Sequence, residues 1–238
     1  MDEKYIKFFE GYRQAYGVAD MSTLKIDPES RKQKPIYRWN DQELTDKIYK
    51  NHLEGTQSIG VQPCNEDAEA RFCVIDVDPN NYEDFDKKFF IDLIQTYKLP
   101  LIPVLSKSGG LHLFIFMDKF VSAALIKSFL SNLLPIFKLK PDCEIFPKQT
   151  QLTKDNETGK LNNLPYFKKS ERVAINLDGT PFTFEQFIKV VENNTVNEKD
   201  LKIITESIEQ QDMEGVDEEF VEGPPCLAHL SKIMKDPK

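Results

Sequence analysis

Arg71–Val77 is an apolar run with strand character, and it delivers two carboxylates at its end: Val74-Ile75-Asp76-Val77-Asp78. Side chains on a strand alternate between faces, so Asp76 and Asp78, two positions apart, are expected on the same face, side by side. Two like charges that close raise each other's pKa unless a cation sits between them. A divalent metal is the usual partner, and carboxylate oxygens favour hard Mg²⁺ or Mn²⁺. A chain built this way needs a sheet that buries the run and leaves its acidic end open. Taken alone, the acid pair also fits the plain solvent-exposed end of a buried strand.

Two further segments narrow the choice. Ser106-Lys107-Ser108-Gly109-Gly110-Leu111-His112 joins the strand expected at Leu101–Leu105 to the one expected at Leu111–Met117. Its glycines permit positive φ and close backbone approach, which a phosphate requires and an ordinary hairpin also uses. Asp142-Cys143-Glu144-Ile145-Phe146-Pro147-Lys148-Gln149 places a third carboxylate at the start of a short strand, Cys143–Phe146, with a lysine four residues on. Helices are expected at Tyr82–Tyr97 and Ser122–Phe137, so residues 71–146 follow the order strand-helix-strand-strand-helix-strand. That order points to an α+β sheet of the ferredoxin or RNA-recognition type.

Elsewhere, aromatic spacing predicts a helix over residues 3–17. Asp41–Leu53 reads as a helix capped by Asn40, with Glu43 completing a capping box. Gln57–Gln62 and Glu171–Ile175 read as strands, Phe182–Asn193 as a helix capped by Thr183, and Lys199–Gln210 as a further helix. The polar Lys25–Arg38, with two prolines, reads as a loop, and Lys154–Gly159 as a turn.

The net charge of −8 is unevenly spread. Residues 196–238 carry 11 acidic and 5 basic side chains, against 28 and 26 in the first 195. Lys25–Arg38 and Lys138–Arg172 are each +3. Such runs are solvated surface or, beside phosphate-binding motifs, a phosphate-facing surface. The four cysteines lie too far apart in sequence for a zinc knuckle, so no zinc is expected. The absence of a long apolar span or a signal-peptide pattern leads to the expectation of a cytoplasmic protein with no membrane contact. One catalytic domain is expected over 1–211, with its core at about 55–178. An acidic linker and the start of a C-terminal segment follow at 212–238.

Together the motifs resemble the catalytic domain of the archaeo-eukaryotic primase superfamily, most closely the primase-polymerases of bacteriophages and mobile elements. Ile75–Asp78 matches the first family motif, Ser106–His112 the second and Glu144–Gln149 the third. Asn163-Leu164-Pro165-Tyr166-Phe167 looks like a further family element, and Gly223-Pro224-Pro225-Cys226-Leu227 is similar to the segment that leads to downstream modules. The resemblance covers roughly residues 35–230. It implies an RNA-recognition-motif-like mixed sheet with flanking helices and a helical C-terminal part. It also implies template-dependent DNA synthesis, with nucleotides passed from deoxynucleoside or ribonucleoside triphosphates to a 3′-hydroxyl.

On the same resemblance, Asp76, Asp78 and Glu144 would be catalytic and hold two Mg²⁺ or Mn²⁺ ions. Ser106, Lys107, Ser108, Gly109, Gly110, His112, Lys148 and Gln149 would bind the nucleotide. Implied partners are single-stranded or primed DNA and a replicative helicase. The competing readings are a metal-dependent nuclease and a catalytically silent nucleic-acid-binding module.

Overall fold

The computed structural model describes residues 1–26, 33–153, 159–168 and 170–203, with backbone alone at 20–26 and 33–37. The segment expected at 212–238 lies outside the described residues, as do 154–158 of the expected turn. Of the helix expected at Lys199–Gln210, residues 198–203 are described and helical. In chain order the elements are α1 (Asp2–Phe8), β1 (Tyr16–Ile26), β2 (Gln33–Asn40), α2 (Asp46–Leu53), β3 (Ile59–Val61) and β4 (Glu69–Val77). There follow α3 (Lys87–Thr96), β5 (Ile102–Leu105), β6 (Leu111–Ser122), α4 (Ala123–Leu133), β7 (Glu144–Phe146), β8 (Asn162–Asn163) and α5 (Phe184–Asn193).

The strands form two sheets of four, ordered β2-β1-β3-β8 and β5-β6-β4-β7. The second sheet with α3 and α4 is the expected βαββαβ unit. Its ladders are all antiparallel rather than mixed. Each crossover helix carries the chain past one strand position, so the parallel strands β4 and β5 are separated by β6. The first sheet, also antiparallel, stacks a second layer onto this unit.

The alternation of β4 explains the layering. Cys73, Ile75 and Val77 enter one core with Phe90, Ile91 and Ile94 of α3 and Phe129, Leu130 and Leu133 of α4. Phe72 and Val74 enter a second core with Tyr5, Phe8 and Phe9 of the N-terminal segment, Ile59 and Val61 of β3, and Phe187 of α5. Both faces of the second sheet are therefore covered. Side-chain caps start the helices where polar residues precede apolar ones. Asp86 accepts from the Lys88 amide at 2.9 Å at the start of α3, and Thr183 with Gln186 forms a reciprocal capping box at α5.

Several sequence expectations shift. The helix over 3–17 ends at Phe8, because the chain must pass tightly over β3: a Cβ on Gly11 would lie 2.2 Å from the Gln62 carbonyl oxygen. Tyr12 and Tyr16 are buried all the same, Tyr16 as the first residue of β1. Asn40 is not a helix cap. It ends β2, paired with Tyr16, and donates to the Tyr16 hydroxyl at 2.8 Å, while α2 begins at Asp46 after Thr45. Much of Lys25–Arg38 is strand rather than loop, with Lys25 paired to Lys34 and Leu24 to Pro35. Proline is tolerated there because β2 is an edge strand. The helix expected from Tyr82 begins at Lys87, after its Asp86 cap. Glu171–Ile175 makes only isolated bridges, at Ala174 and Ile175. Among the described residues no helix is long and apolar enough to cross a membrane.

Candidate active site

The second sheet's register gathers the motifs. Asp76 on β4 is directly opposite His112 on β6 and, across its other edge, Glu144 on β7. Three residues from three distant motifs thus form one row across adjacent strands. By alternation the row shares its face with Phe72, Val74, Phe114, Phe116 and Phe146, the aromatic floor between the two sheets. It sits where that floor runs out into solvent. Accessibility rises along it, from 11% for the His112 side chain through 28% for Asp76 to 42% for Glu144.

Each acid already has a polar partner. His112 Nε2 stands 3.3 Å from Asp76 Oδ1, and Lys148 Nζ is 2.7 Å from Glu144 Oε1. Asp78, one residue past the end of β4, caps the single 3₁₀ turn Pro79–Asn81 by accepting from the Asn80 amide at 3.1 Å. With the side chains turned to these partners, no group of three or more His, Cys, Asp or Glu among the described residues stands close enough to hold a metal ion. The chemistry of the donor set nevertheless fits one: carboxylate oxygens, two of them on directly paired strand positions, suit Mg²⁺ or Mn²⁺. Asp142 lies outside β7, exposed in the preceding turn. Between it and Glu144, Cys143 donates its thiol to the Asp76 carbonyl at 3.4 Å. Burial pushes this thiol's pKa up to about 11, so it stays protonated and remains a donor.

The Ser-Gly-Gly segment is the turn between β5 and β6, braced from within. Ser106 Oγ accepts from the Gly110 amide at 3.0 Å and shares a 2.8 Å hydrogen bond with Ser108 Oγ, while the Ser106 amide donates to the Gly110 carbonyl at 3.0 Å. Gly109 has φ +92° and open space around it. At Gly110 a Cβ would lie 2.1 Å from the Val77 carbonyl oxygen, so glycine lets the turn press against the end of β4. The turn is thereby fixed beside the acid row, with Lys107 exposed on it.

The third motif divides its labour. Lys148 faces Glu144, and its carbonyl is held by Lys127 Nζ of α4 at 2.8 Å. Gln149 turns towards the first sheet, where Oε1 accepts from the Lys160 amide at 3.0 Å and from Gln62 Nε2 at 3.4 Å. Leu164–Phe167 also supports that sheet: the Pro165 carbonyl accepts from the Tyr5 hydroxyl at 2.6 Å and lies 2.9 Å from His52 Nε2. Sequence reasoning singled out neither Lys127 nor Cys143. A lysine on a helix and a lone cysteine carry no signal until the fold places them at the site.

A comparison with curated proteins gives no match. Among solved structures, the archaeo-eukaryotic primase domain of the cyanophage S-2L primase-polymerase superposes with a TM-score of 0.39 at 12% identity, over 79% of this chain and 94% of that one. The primase RepB′ superposes with a TM-score of 0.36 at 11% identity, over 90% of this chain and 65% of that one. The model of the archaeo-eukaryotic primase domain of TOTE conflict systems matches residues 8–208, and the chain belongs to that family.

Proposed function

We propose that this nucleotidyltransferase-type domain is a template-dependent DNA primase-polymerase, extending a 3′-hydroxyl from nucleoside triphosphates; a phage or mobile element is the setting the sequence motifs suggest. The observation that carries the reading is the row His112–Asp76–Glu144 with the Ser-Gly-Gly turn pressed against its strand end. Asp76, Asp78 and Glu144 would hold the divalent metals. When bound, such a pair activates the attacking oxygen and neutralises the leaving pyrophosphate. His112 would turn from Asp76 to a phosphate oxygen, and the hydroxyls of Ser106 and Ser108 would offer further donors. Lys148, once released from Glu144, would add a positive charge for the phosphates.

The sheet's surroundings favour an enzyme over a silent RNA-recognition module. Such modules stack bases on aromatic side chains of an open sheet face. Here Phe72, Phe114 and Phe116 are fully buried, with Phe9 packed against all three rings. The test is extension of a labelled primer on a DNA template with Mn²⁺ or Mg²⁺ and either nucleotide class. The wild type is expected to extend the primer, and the double variant Asp76→Ala/Asp78→Ala to lose at least about 1000-fold, roughly 4 kcal/mol in barrier. Shortening of the primer would favour a nuclease, and undiminished extension by the double variant would remove the acid pair from the chemistry.

A further inference from the structure

The outermost acid of the row carries a counter-ion of its own. Lys148 Nζ is 2.7 Å from Glu144 Oε1, and it offsets part of the charge that Asp76 and Glu144 place on directly paired strand positions. The backbone under this lysine is tied on both sides. Its carbonyl accepts from Lys127 Nζ of α4 at 2.8 Å, and the next side chain, Gln149, accepts from the Lys160 amide at 3.0 Å. The side chain above can swing: it is 48% exposed, and that of Glu144 is 42% exposed.

Exposure decides what such a pair can do. An ion pair this open contributes at most about fivefold to an equilibrium constant. A buried lysine would strand its carboxylate on leaving, whereas this one can be displaced by a dication of twice its charge. The flexible four-carbon stem then carries the ammonium elsewhere while its backbone stays in place.

We propose that Lys148 is an exchangeable counter-ion: a divalent cation and the lysine compete for Glu144, and the displaced ammonium passes to the phosphates of the incoming nucleoside triphosphate. The competition rests on Glu144 being a metal ligand, as in the proposed function, and not on which reaction follows. It couples two ligands. Metal binding releases the cation that the nucleotide uses, and the nucleotide withdraws the cation that competes with the metal. Such coupling is reciprocal, each ligand raising the affinity for the other by the same factor. Removing Lys148 must therefore improve one binding and impair the other. A lysine that only braced the end of β7 would impair both.

The experiment uses the full chain without template or primer. Free Mn²⁺ is measured by electron paramagnetic resonance in the absence of nucleotide. Binding of a fluorescently labelled deoxynucleoside triphosphate is followed by anisotropy at saturating Mn²⁺. Lys148→Met is expected to bind Mn²⁺ about 3- to 10-fold more tightly and the nucleotide about 3- to 10-fold more weakly. Lys148→Arg, whose guanidinium grips a carboxylate through two parallel bonds, should instead bind Mn²⁺ about two- to fivefold more weakly than the wild type. Lys140→Met removes an equal charge from the turn before β7, where the ammonium stands 5.6 Å from the centre of the Tyr82 ring. It should leave both affinities within about twofold.

Unchanged or weaker Mn²⁺ binding in Lys148→Met overturns the competition. Tighter Mn²⁺ with unchanged nucleotide affinity overturns the transfer to the phosphates. An equal gain in Lys140→Met would reduce the effect to net charge and overturn the exchange. Failure of both the wild type and Lys148→Met to bind Mn²⁺ would remove the metal site and the exchange with it. Both expected shifts in a protein that extends no primer would reject the polymerase reading and leave the exchange standing.

Discussion

The two sheets are held by different physics. The second is clamped between two apolar layers, and the only polar side chain its strands bury among the described residues is His112. The first sheet shares the second core through Tyr16, Ile59 and Val61 and adds to it a set of buried polar groups. His52, Ser58, Gln62, Asn162 and Arg172 are all buried in and around β3 and β8. His52 Nδ1 accepts from the Ile59 amide at 3.2 Å while its other nitrogen reaches the Pro165 carbonyl, and Arg172 reaches Ser58. Apolar packing is non-directional, whereas each buried hydrogen bond specifies one geometry and exacts about 1–3 kcal/mol if one partner is removed. The sheet with the acid row is thus fixed by volume alone, whereas the other sheet adds directional hydrogen bonds to its apolar packing.

The sharpest way to strain this contrast is at its one overlap, His112, the buried polar group of the apolar sheet. If it serves chemistry rather than stability, His112→Ala should cut extension about 30- to 1000-fold at low nucleotide, equivalent to about 2–4 kcal/mol of lost charge stabilisation, with unfolding nearly unchanged. Parallel primer-extension and urea-unfolding measurements check it; a stability loss that tracks the activity loss would make His112 a structural member of the sheet.

Two glycines probe the contrast in backbone terms. A methyl at Gly110 meets the Val77 carbonyl at 2.1 Å and Pro79 Cδ at 2.7 Å, the last residue of β4 and the ring that opens the following 3₁₀ turn. A methyl at Gly17 of β1 first meets the Leu161 side chain, whose Cδ1 is 2.2 Å away and can rotate off. Gly110→Ala should cost about 2–3 kcal/mol and Gly17→Ala less than about 1 kcal/mol in denaturant unfolding. Equal costs would mean that the second sheet's edge yields as easily as the first.

The same contrast governs what the sequence discloses. The strands and helices of the second sheet follow apolar periods of 2 and 3.6, so β4, β5, β6, α4 and β7 stand where hydrophobic patterning puts them, within a few residues. The motif residues at their ends come with them. The register does not: that Asp76 faces both His112 and Glu144 depends on which strands become neighbours, a tertiary outcome with no local signal. The first sheet is less legible because several of its strand residues are polar and its buried polar groups carry no periodic signal. Lys25–Arg38 has the composition of a loop, Asn162-Asn163 is a two-residue strand, and the burial of Arg172 contradicts any surface reading of a basic run.

His52 provides a pH test of the hydrogen-bonded sheet. Burial lowers its pKa from 6.5 to about 4. The unfolded chain therefore binds more protons between those values, and stability must fall as pH drops from about 6.5 to 4, by about 3 kcal/mol over the whole window. His52→Gln lacks this titration. It should be less stable than the wild type at pH 7, and the gap should narrow progressively towards pH 4. Parallel unfolding curves with a constant gap would show that His52 does not carry the first sheet's pH sensitivity.

The smallest expected effect lies at the seam between the sheets, on Gln149. By position in the third motif it is a candidate for the nucleotide. Its side chain instead spans from the end of β7 to the other sheet, accepting from the Lys160 amide and from Gln62. Lys160 leads into β8, so this acceptor sets where that short strand begins. Loss of one hydrogen bond to a backbone amide costs about 1 kcal/mol. Gln149→Ala should therefore lower unfolding stability by about that amount and leave the nucleotide KM within about twofold. Gln149→Glu keeps an acceptor for the Lys160 amide and should recover most of the loss. A tenfold rise in KM at unchanged stability would place Gln149 on the nucleotide, as the motif order expects, and would leave the seam to be held by Gln62 and the backbone alone.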